Sequence, residues 1–325
     1  MMNNSSLAPD PDLVYSLYTG GFKVQLVRMA LLLDVFSPLA TGAADAQAIA
    51  RRCGCEVTAL TALLDYLCSL HLLDRQGNTY ALTPTAATFL VPGRRSYAGG
   101  WVLADTEPDL WDGVLRAMHS GQPYPAKFPY EQDAWLESYR PSRVSQSLEM
   151  WKAVGIEAGE HPGLRVLDLA CGCAIKSFVL AQADPTVHVT CQDSAQVLEV
   201  ARALADRLRI LSQVAFLPGD LLNMDLGKAA YDAALLGQIT YSLTPAMNAN
   251  VVRRVYEALS PGGTLVIDAI MASEPPSEYA SLVTVLMRTL FGGAAYPFVQ
   301  YRRWLEEAGF KQVTQHSEYW LSATK

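Results

Sequence analysis

Between residues 164 and 270 the chain repeats one pattern: a short apolar run, a loop, then an amphipathic stretch long enough for a helix. Residues 165–170, 187–191, 214–217, 231–236 and 264–270 read as strands, and residues 175–182, 195–210 and 244–259 as helices. The last of these helices is stopped by Ser260-Pro261-Gly262-Gly263. Strands this apolar must be covered on both faces, and helices alternating with them supply the cover. The pattern therefore predicts a parallel, doubly wound α/β sheet. Such sheets bind ligands outside the carboxyl ends of their strands, where the strand order reverses. The loops after Leu169, Cys191, Leu217, Leu236 and Ile270 are the expected site.

The chain before this has another texture. Residues 1–12 are polar and are expected to be disordered. Residues 13–92 read as helices closed by one short hairpin. The stretch 24–36 suits a largely buried helix, and 45–52 a shorter one. In 57–70, Val57, Leu60, Leu63, Leu64, Leu67 and Leu70 recur three and four apart, which predicts a third helix. Residues 72–82 form two strands about a Gly77-Asn78 turn, and Thr83-Pro84 restarts a helix with a capping hydroxyl before a proline. Three helices and a hairpin outline a winged helix. No Lys or Arg lies between Arg52 and Arg75, so its third helix offers nothing to phosphates or guanine edges. A dimerisation module is the expectation. Residues 93–163 read as a helical linker that lines a pocket, with a proline- and aromatic-rich loop at 121–130, and residues 164–325 as the ligand-binding domain.

Composition narrows the partners. Twenty-five Lys and Arg against 32 Asp and Glu leave a net charge of −7, the wrong sign for a general nucleic-acid binder. No apolar run approaches the ~18 residues of a membrane helix, and residues 1–12 lack the basic and apolar regions of a secretory signal. A cytoplasmic protein without membrane contact is expected. Six cysteines in 325 residues do not suggest a disulfide framework. The pairs Cys53-Gly54-Cys55 and Cys171-Gly172-Cys173 lack the spacing and the histidines of common zinc sites, so no metal is expected.

Three loops carry candidate chemistry. In Asp168-Leu169-Ala170-Cys171-Gly172-Cys173-Ala174, small residues alternate, which lets a ligand approach the backbone just before a helix whose free N–H groups favour an anion. Asp193 follows the second strand, where dinucleotide folds place an acid on ribose hydroxyls. After the third strand, Gly219-Asp220-Leu221 offers an acceptor for an exocyclic amine beside a flat apolar side chain, a combination that suits adenine.

The segments VLDLACGC, CQDSAQVLEVA, FLPGDLL, LSPGGTLVIDAI and WLEEAGF, in this order and spacing, resemble the class I S-adenosylmethionine (SAM) methyltransferases. With the winged-helix front end, residues 13–323 resemble the dimeric small-molecule O-methyltransferases, which include plant caffeate-type and bacterial polyketide-tailoring enzymes. The resemblance implies a Rossmann-like seven-stranded sheet, an N-terminal all-helical winged-helix dimerisation domain, an intimate homodimer through that domain, and SAM as cofactor. It assigns Asp193 to the ribose, Asp220 and Leu221 to adenine, and Gly172 with Asp168, Ala170 and Gln238 to the rest of the SAM site. Lys176 stands where the family often has a small residue, within reach of the SAM carboxylate.

The departures from that family bear on the reaction. Its members place a His-Asp pair after the fourth strand, the histidine taking the proton of the substrate hydroxyl. Here Tyr241 and Ser242 align with the pair, and no histidine lies between His188 and His316. The two supporting glutamates align with Asp268 and Ala295. Tyrosine, with a pKa of ~10, is protonated at neutral pH and serves better as a hydrogen-bond donor than as a base. An electron-rich carbon or a neutral amine needs no such base, because methyl transfer mainly requires a nucleophile held in line. Tyr241-Ser242 together with Ala295-Tyr296-Pro297-Phe298 resembles the bacteriochlorophyll C-methyltransferase branch.

The expected function is therefore SAM-dependent methylation of a small apolar or aromatic metabolite of secondary metabolism, at carbon or nitrogen rather than oxygen. Tyr241 and Asp268 would orient the acceptor, and Met287 and Phe291, from the apolar stretch 279–291, would line its pocket. Two other readings fit the same residues: a non-methylating use of SAM in cyclisation, decarboxylation or hydroxylation, and a non-catalytic winged-helix regulator.

Overall fold

The computed structural model describes residues 11–94, 96–103, 110–124, 141–275 and 277–325. Contacts divide the chain into two units, residues 1–105 and 106–325. In the first unit, helix ends follow from local chemistry. Asp45 accepts a hydrogen bond from the Ala48 N–H and caps α3 (Ala46–Cys53), which Gly54 ends in the left-handed conformation. The Glu56 carboxylate takes the N–H groups of Thr58 and Ala59 and opens α4 (Val57–Ser69), whose Leu60, Leu63, Leu64 and Leu67 are buried. Thr83 caps α5 (Pro84–Phe89), with proline in its first turn.

The structure corrects two expectations for this unit. It is not all-helical beyond a hairpin, because β1 (Ala44–Asp45) adds to β2 (Leu73–Gln76) and β3 (Thr79–Leu82) in the order β1-β3-β2. The residues before the α3 cap are extended in any case, and Ala44 pairs with Tyr80 on the open edge of β3. The buried helix expected at 24–36 is the end of a longer α1 (Pro11–Leu32). Ala30 and Leu31 are buried, but Val24, Met29 and Leu32 are exposed, as are Leu13, Val14, Leu17, Tyr18 and Phe22. A helix apolar around its circumference covers only one face against its own chain. Residues 1–10 of the polar start lie outside the described residues, and α1 already includes Asp12.

The second unit holds a seven-stranded sheet in the order β6-β5-β4-β7-β8-β10-β9. Its strands are β4 (Arg165–Leu169), β5 (His188–Asp193), β6 (Val214–Pro218), β7 (Tyr231–Gly237), β8 (Leu259–Asp268), β9 (Lys311–Gln315) and β10 (Trp320–Thr324). The five from β4 to β8 run parallel, while β10 is antiparallel to both neighbours. Strand order reverses about β4, with β5 and β6 on one side and β7 and β8 on the other, which puts a crevice beyond its carboxyl end. Phe178, Val189 and Leu204 belong to one core, and Leu169, Val251 and Trp304 to another.

One boundary differs from expectation. Ser260-Pro261-Gly262-Gly263 lies within β8 rather than before it, and the register with β7 jumps from Tyr231↔Leu259 to Ala233↔Thr264. A bulge accommodates a proline that cannot donate to the ladder. The strands β9 and β10 carry little local pattern, since most of β9 is exposed at the sheet edge.

Candidate active site

The loop after β4 turns three times through the left-handed region, at Ala170 (φ +50°), Gly172 (φ +56°) and Ala174 (φ +55°). For alanine this costs on the order of 1 kcal/mol per residue, so neighbours must hold the loop. The Ala170 N–H donates to Gln192 Oε1 at 3.2 Å, and the Ala174 N–H to the Cys171 carbonyl at 2.8 Å. Gln192 is 1% exposed, and its Nε2 donates to the Gly219 carbonyl at 2.8 Å, joining the first loop to the third. The sequence reading missed this residue. Its signal was an amide inside a buried strand, directly before Asp193.

Asp193 ends β5 half-buried. Its carboxylate accepts the Gly172 N–H at 3.1 Å and the Ser194 N–H at 2.7 Å. Burial raises its pKa above the ordinary value of 3.8, and the two N–H groups pull it back. The exposed Asp220 carboxylate accepts the Leu222 N–H at 2.9 Å and Asn223 Nδ2 at 2.6 Å, which folds the loop after β6. Leu221 is 9% exposed and packs in the core with Leu167, Leu226 and Val251.

Asp168 lies beneath the first loop, buried, with the Ser177 hydroxyl donating to it. Burial raises its carboxyl to about 7, opposed by Ser177 and the Lys176 ammonium. The folded form thus keeps its proton to a higher pH than the unfolded chain. The resulting stability is complete at pH 3 and is lost as pH rises through 7. Asp168→Asn cannot titrate. Its stability gain over the parent should be small at pH 4 and reach ~4 kcal/mol by pH 8, from ~1.4 kcal/mol per pKa unit. Urea unfolding at the two pH values measures this, and an equal gain at both would refute the buried-carboxyl account.

On the other side of β4, Lys176 lies in the first turn of the helix Ile175–Ala183, and its carbonyl accepts the Trp151 indole N–H at 2.6 Å. Its side chain passes above Gly237, where an added Cβ would lie 3.8 Å from Nζ, and forms an ion pair with Asp268. Gly237 and Asp268 face each other across β7 and β8, so a missing side chain on one strand opens the way to the next. Asp268 Oδ1 accepts Gln238 Nε2 at 2.8 Å, and the Gln238 Oε1 accepts the Tyr241 hydroxyl at 3.0 Å. Gln238 has φ +60°, and its N–H donates to the Asp268 carbonyl at 2.7 Å.

One connected chain thus runs from Lys176 through Asp268 and Gln238 to Tyr241. Burial lowers the Lys176 ammonium to about 8, with the charge of Arg143 adding to the effect. Burial pushes the Tyr241 phenol up to about 12. Tyr241 and Asp268 are therefore brought together, as the sequence suggested, but through Gln238. Lys176 sits on Asp268 rather than free beside the crevice, and the Tyr241 proton faces Gln238.

Met287 lies in this neighbourhood. The Ser242 hydroxyl donates to its sulfur at 3.3 Å, and both Met287 and Tyr241 pack on the cluster of Ile270, Ala280, Val283 and Ala295. Phe291 packs in a different cluster, with Leu110, Val114 and Leu290. The turn Thr240–Ser242 is held from below: Thr240 Oγ1 and the Tyr301 hydroxyl lie 2.7 Å apart, and Asn248 Nδ2 donates to the Thr240 carbonyl at 2.8 Å.

Known proteins match both units. Residues 166–263 match a methyltransferase domain family, and residues 16–92 an O-methyltransferase dimerisation domain family, together more than half of the chain. The chain is 26% identical to the 3-hydroxy-5-methyl-1-naphthoate 3-O-methyltransferase of Streptomyces sahachiroi, over 93% of this chain and 90% of that protein. It is also 26% identical to the N,N-dimethyltransferase OxyT of Streptomyces rimosus, over 95% and 94%. Further relatives are named as C-methyltransferases. The fold matches human N-acetylserotonin methyltransferase, crystallised with SAM, at a TM-score of 0.79 and 19% identity, covering 99% of both chains.

Proposed function

Because the chain belongs to the class I SAM-dependent methyltransferases that carry an O-methyltransferase dimerisation domain, we propose that it methylates a carbon or a nitrogen of a small apolar or aromatic metabolite. It is an enzyme that uses SAM. The residues present fit that group: a loop of small residues that turns through the left-handed region at Ala170, Gly172 and Ala174, and an acid at the end of β5 whose carboxylate anchors the same loop. In this reading Asp193 takes the ribose hydroxyls and Asp220 the adenine amine. Gly172 and its neighbours, with Asp168 below and Gln238 opposite, enclose the methionine end. Bound there, SAM supplies a methyl group already activated on a sulfonium.

The observation that carries the choice of carbon or nitrogen is the state of Tyr241. It stands where an O-methyltransferase has its base, yet burial holds its phenol at about 12 and its proton is engaged by Gln238. No histidine lies anywhere from residue 189 to residue 315 to replace it. Gln238, the partner of that hydroxyl, is an amide and no base for an alcohol or phenol proton, whereas a neutral amine or an electron-rich carbon attacks without one. The O-, N- and C-methyltransferase names among the relatives are compatible with a site that has changed its nucleophile within one fold. The exposed apolar face of α1 and the dimerisation-domain match support assembly as a homodimer through the first unit.

Incubation with methyl-labelled SAM and a panel of aromatic amines, phenols and polyketide-like acceptors tests the reading. Label on carbon or nitrogen supports it, and label on oxygen overturns it. A changed substrate with intact SAM would instead establish the non-methylating chemistry. Tyr241→Phe should lower turnover about tenfold, the loss of one buried hydrogen bond, while calorimetric SAM affinity stays within about twofold. The reverse pattern would remove Tyr241 from the acceptor site.

A further inference from the structure

The chain from Lys176 to Tyr241 has a direction that follows from donor and acceptor inventories alone. An ammonium only donates, so Lys176 holds Asp268 as an ionised acceptor. An ionised carboxylate only accepts, so the Gln238 atom facing it at 2.8 Å is the NH2 group. The amide oxygen is then the atom 3.0 Å from Tyr241, and an amide oxygen only accepts. The single hydroxyl proton of Tyr241 is thereby committed to Gln238. What Tyr241 presents to its other neighbours is an oxygen lone pair, on a half-buried side chain that packs against Ile270, Val283 and Ala295 beside Met287 and that also feels the charge of Arg143 and the hydroxyl of Tyr279.

We infer that Lys176, through Asp268 and Gln238, sets the hydrogen-bonding sense of Tyr241, so that the acceptor pocket selects aromatic molecules presenting an N–H or O–H donor to that oxygen. Lys176 and Gln238 are positioning residues in this scheme, and Tyr241 is the contact. The inference rests on the methyltransferase reading and deepens it by naming what the acceptor must offer. An aromatic amine donates through the nitrogen that receives the methyl group, and a phenol donates while a ring carbon reacts. A carbonyl oxygen placed against Tyr241 meets lone pair against lone pair in a half-buried site, and leaving a desolvated polar group unpaired is the strongest basis of discrimination between near isosteres.

The test is equilibrium binding to protein saturated with S-adenosylhomocysteine, using 2-naphthylamine and 2-naphthol as donors and 2-naphthaldehyde as an acceptor-only probe of like size. The parent protein should bind the donors about tenfold tighter than the aldehyde. Tyr241→Phe should bring the ratio to about one. Gln238→Met frees the tyrosine proton to point into the pocket and should lift aldehyde binding to that of the donors or above. Lys176→Met should collapse the preference, while Lys176→Arg keeps it. A merely structural role for Lys176 would weaken all three probes together and leave the ratio unchanged, which would overturn the proposal. So would equal binding of the probes by the parent, failure of all three to bind, or a preference that survives in Tyr241→Phe. Failure of S-adenosylhomocysteine to bind is a separate outcome, which brings down the methyltransferase reading and this inference with it.

Discussion

Gly293→Ala is expected to reduce methyl transfer by about a hundredfold or more while leaving SAM affinity within a few-fold. Gly293 follows Gly292, which ends the helix Glu278–Phe291 in the left-handed conformation at φ +79°. Gly293 itself is not in that region. Its constraint is contact. A Cβ there would lie 2.7 Å from the carbonyl carbon of Ser242 and 2.9 Å from that of Tyr241, with the Tyr241 carbonyl oxygen closer still. All three are backbone atoms, so no rotamer change relieves the clash. The turn carrying Tyr241 must move, yet Thr240 is fastened beneath it to Tyr301 and Asn248. Overpacking of this kind costs about 1–3 kcal/mol of stability, and a shift near 1 Å at a reacting group costs about a hundredfold in rate. Labelled methyl transfer, calorimetric SAM binding and urea unfolding separate the effects. Full activity in the variant would mean that the position of Tyr241 does not govern the reaction.

Asp193→Ala should weaken SAM binding by a hundredfold or more, with a much smaller change in stability. The carboxylate holds the Gly172 N–H at 3.1 Å, at the centre of the loop whose neighbours Ala170 and Ala174 sit in a costly conformation. Its removal deletes the proposed acceptor for the ribose hydroxyls and also loosens the loop proposed to approach the methionine end. Hydrogen bonds to a charged group contribute ~1.5–3 kcal/mol each, so the loss of two corresponds to roughly two to four orders of magnitude in affinity. Stability changes less because the carboxylate is disfavoured by its own burial, as its raised pKa shows, and removing it relieves that penalty. Calorimetry against SAM reads the first effect and thermal unfolding the second. Unchanged SAM affinity would place the nucleotide somewhere other than the crevice at β4.

Most of the fold was legible because it rests on local signals. Strand and helix periods differ, Thr83-Pro84 marks a helix start by its own conformation, and the alternation of strands and helices put the crevice at the strands' carboxyl ends. The burial of Leu221 was not legible, because a leucine after a strand has the same local signature whether it turns toward a ligand or into the core. That Phe291 and Met287 pack on different clusters was not legible, because helical spacing sets the face a residue occupies but not which neighbouring helix covers it. The helix does end before the Ser-Pro-Gly-Gly segment, but the place of that segment inside β8 depends on pairing with β7 and a bulge that no local signal announces.

Residue identity alone determined that this chain would build a doubly wound sheet, would present acids after its second and third strands, and would lack a histidine at the fourth. Periodicity, chain order and composition are one-dimensional properties that survive without coordinates. Only the tertiary structure decided what Lys176 does, because its partner lies on β8, reached across a strand that happens to carry glycine at the crossing point. It likewise decided that the Tyr241 proton points at Gln238, since the sense of a hydrogen bond belongs to the whole set of partners and not to any one of them.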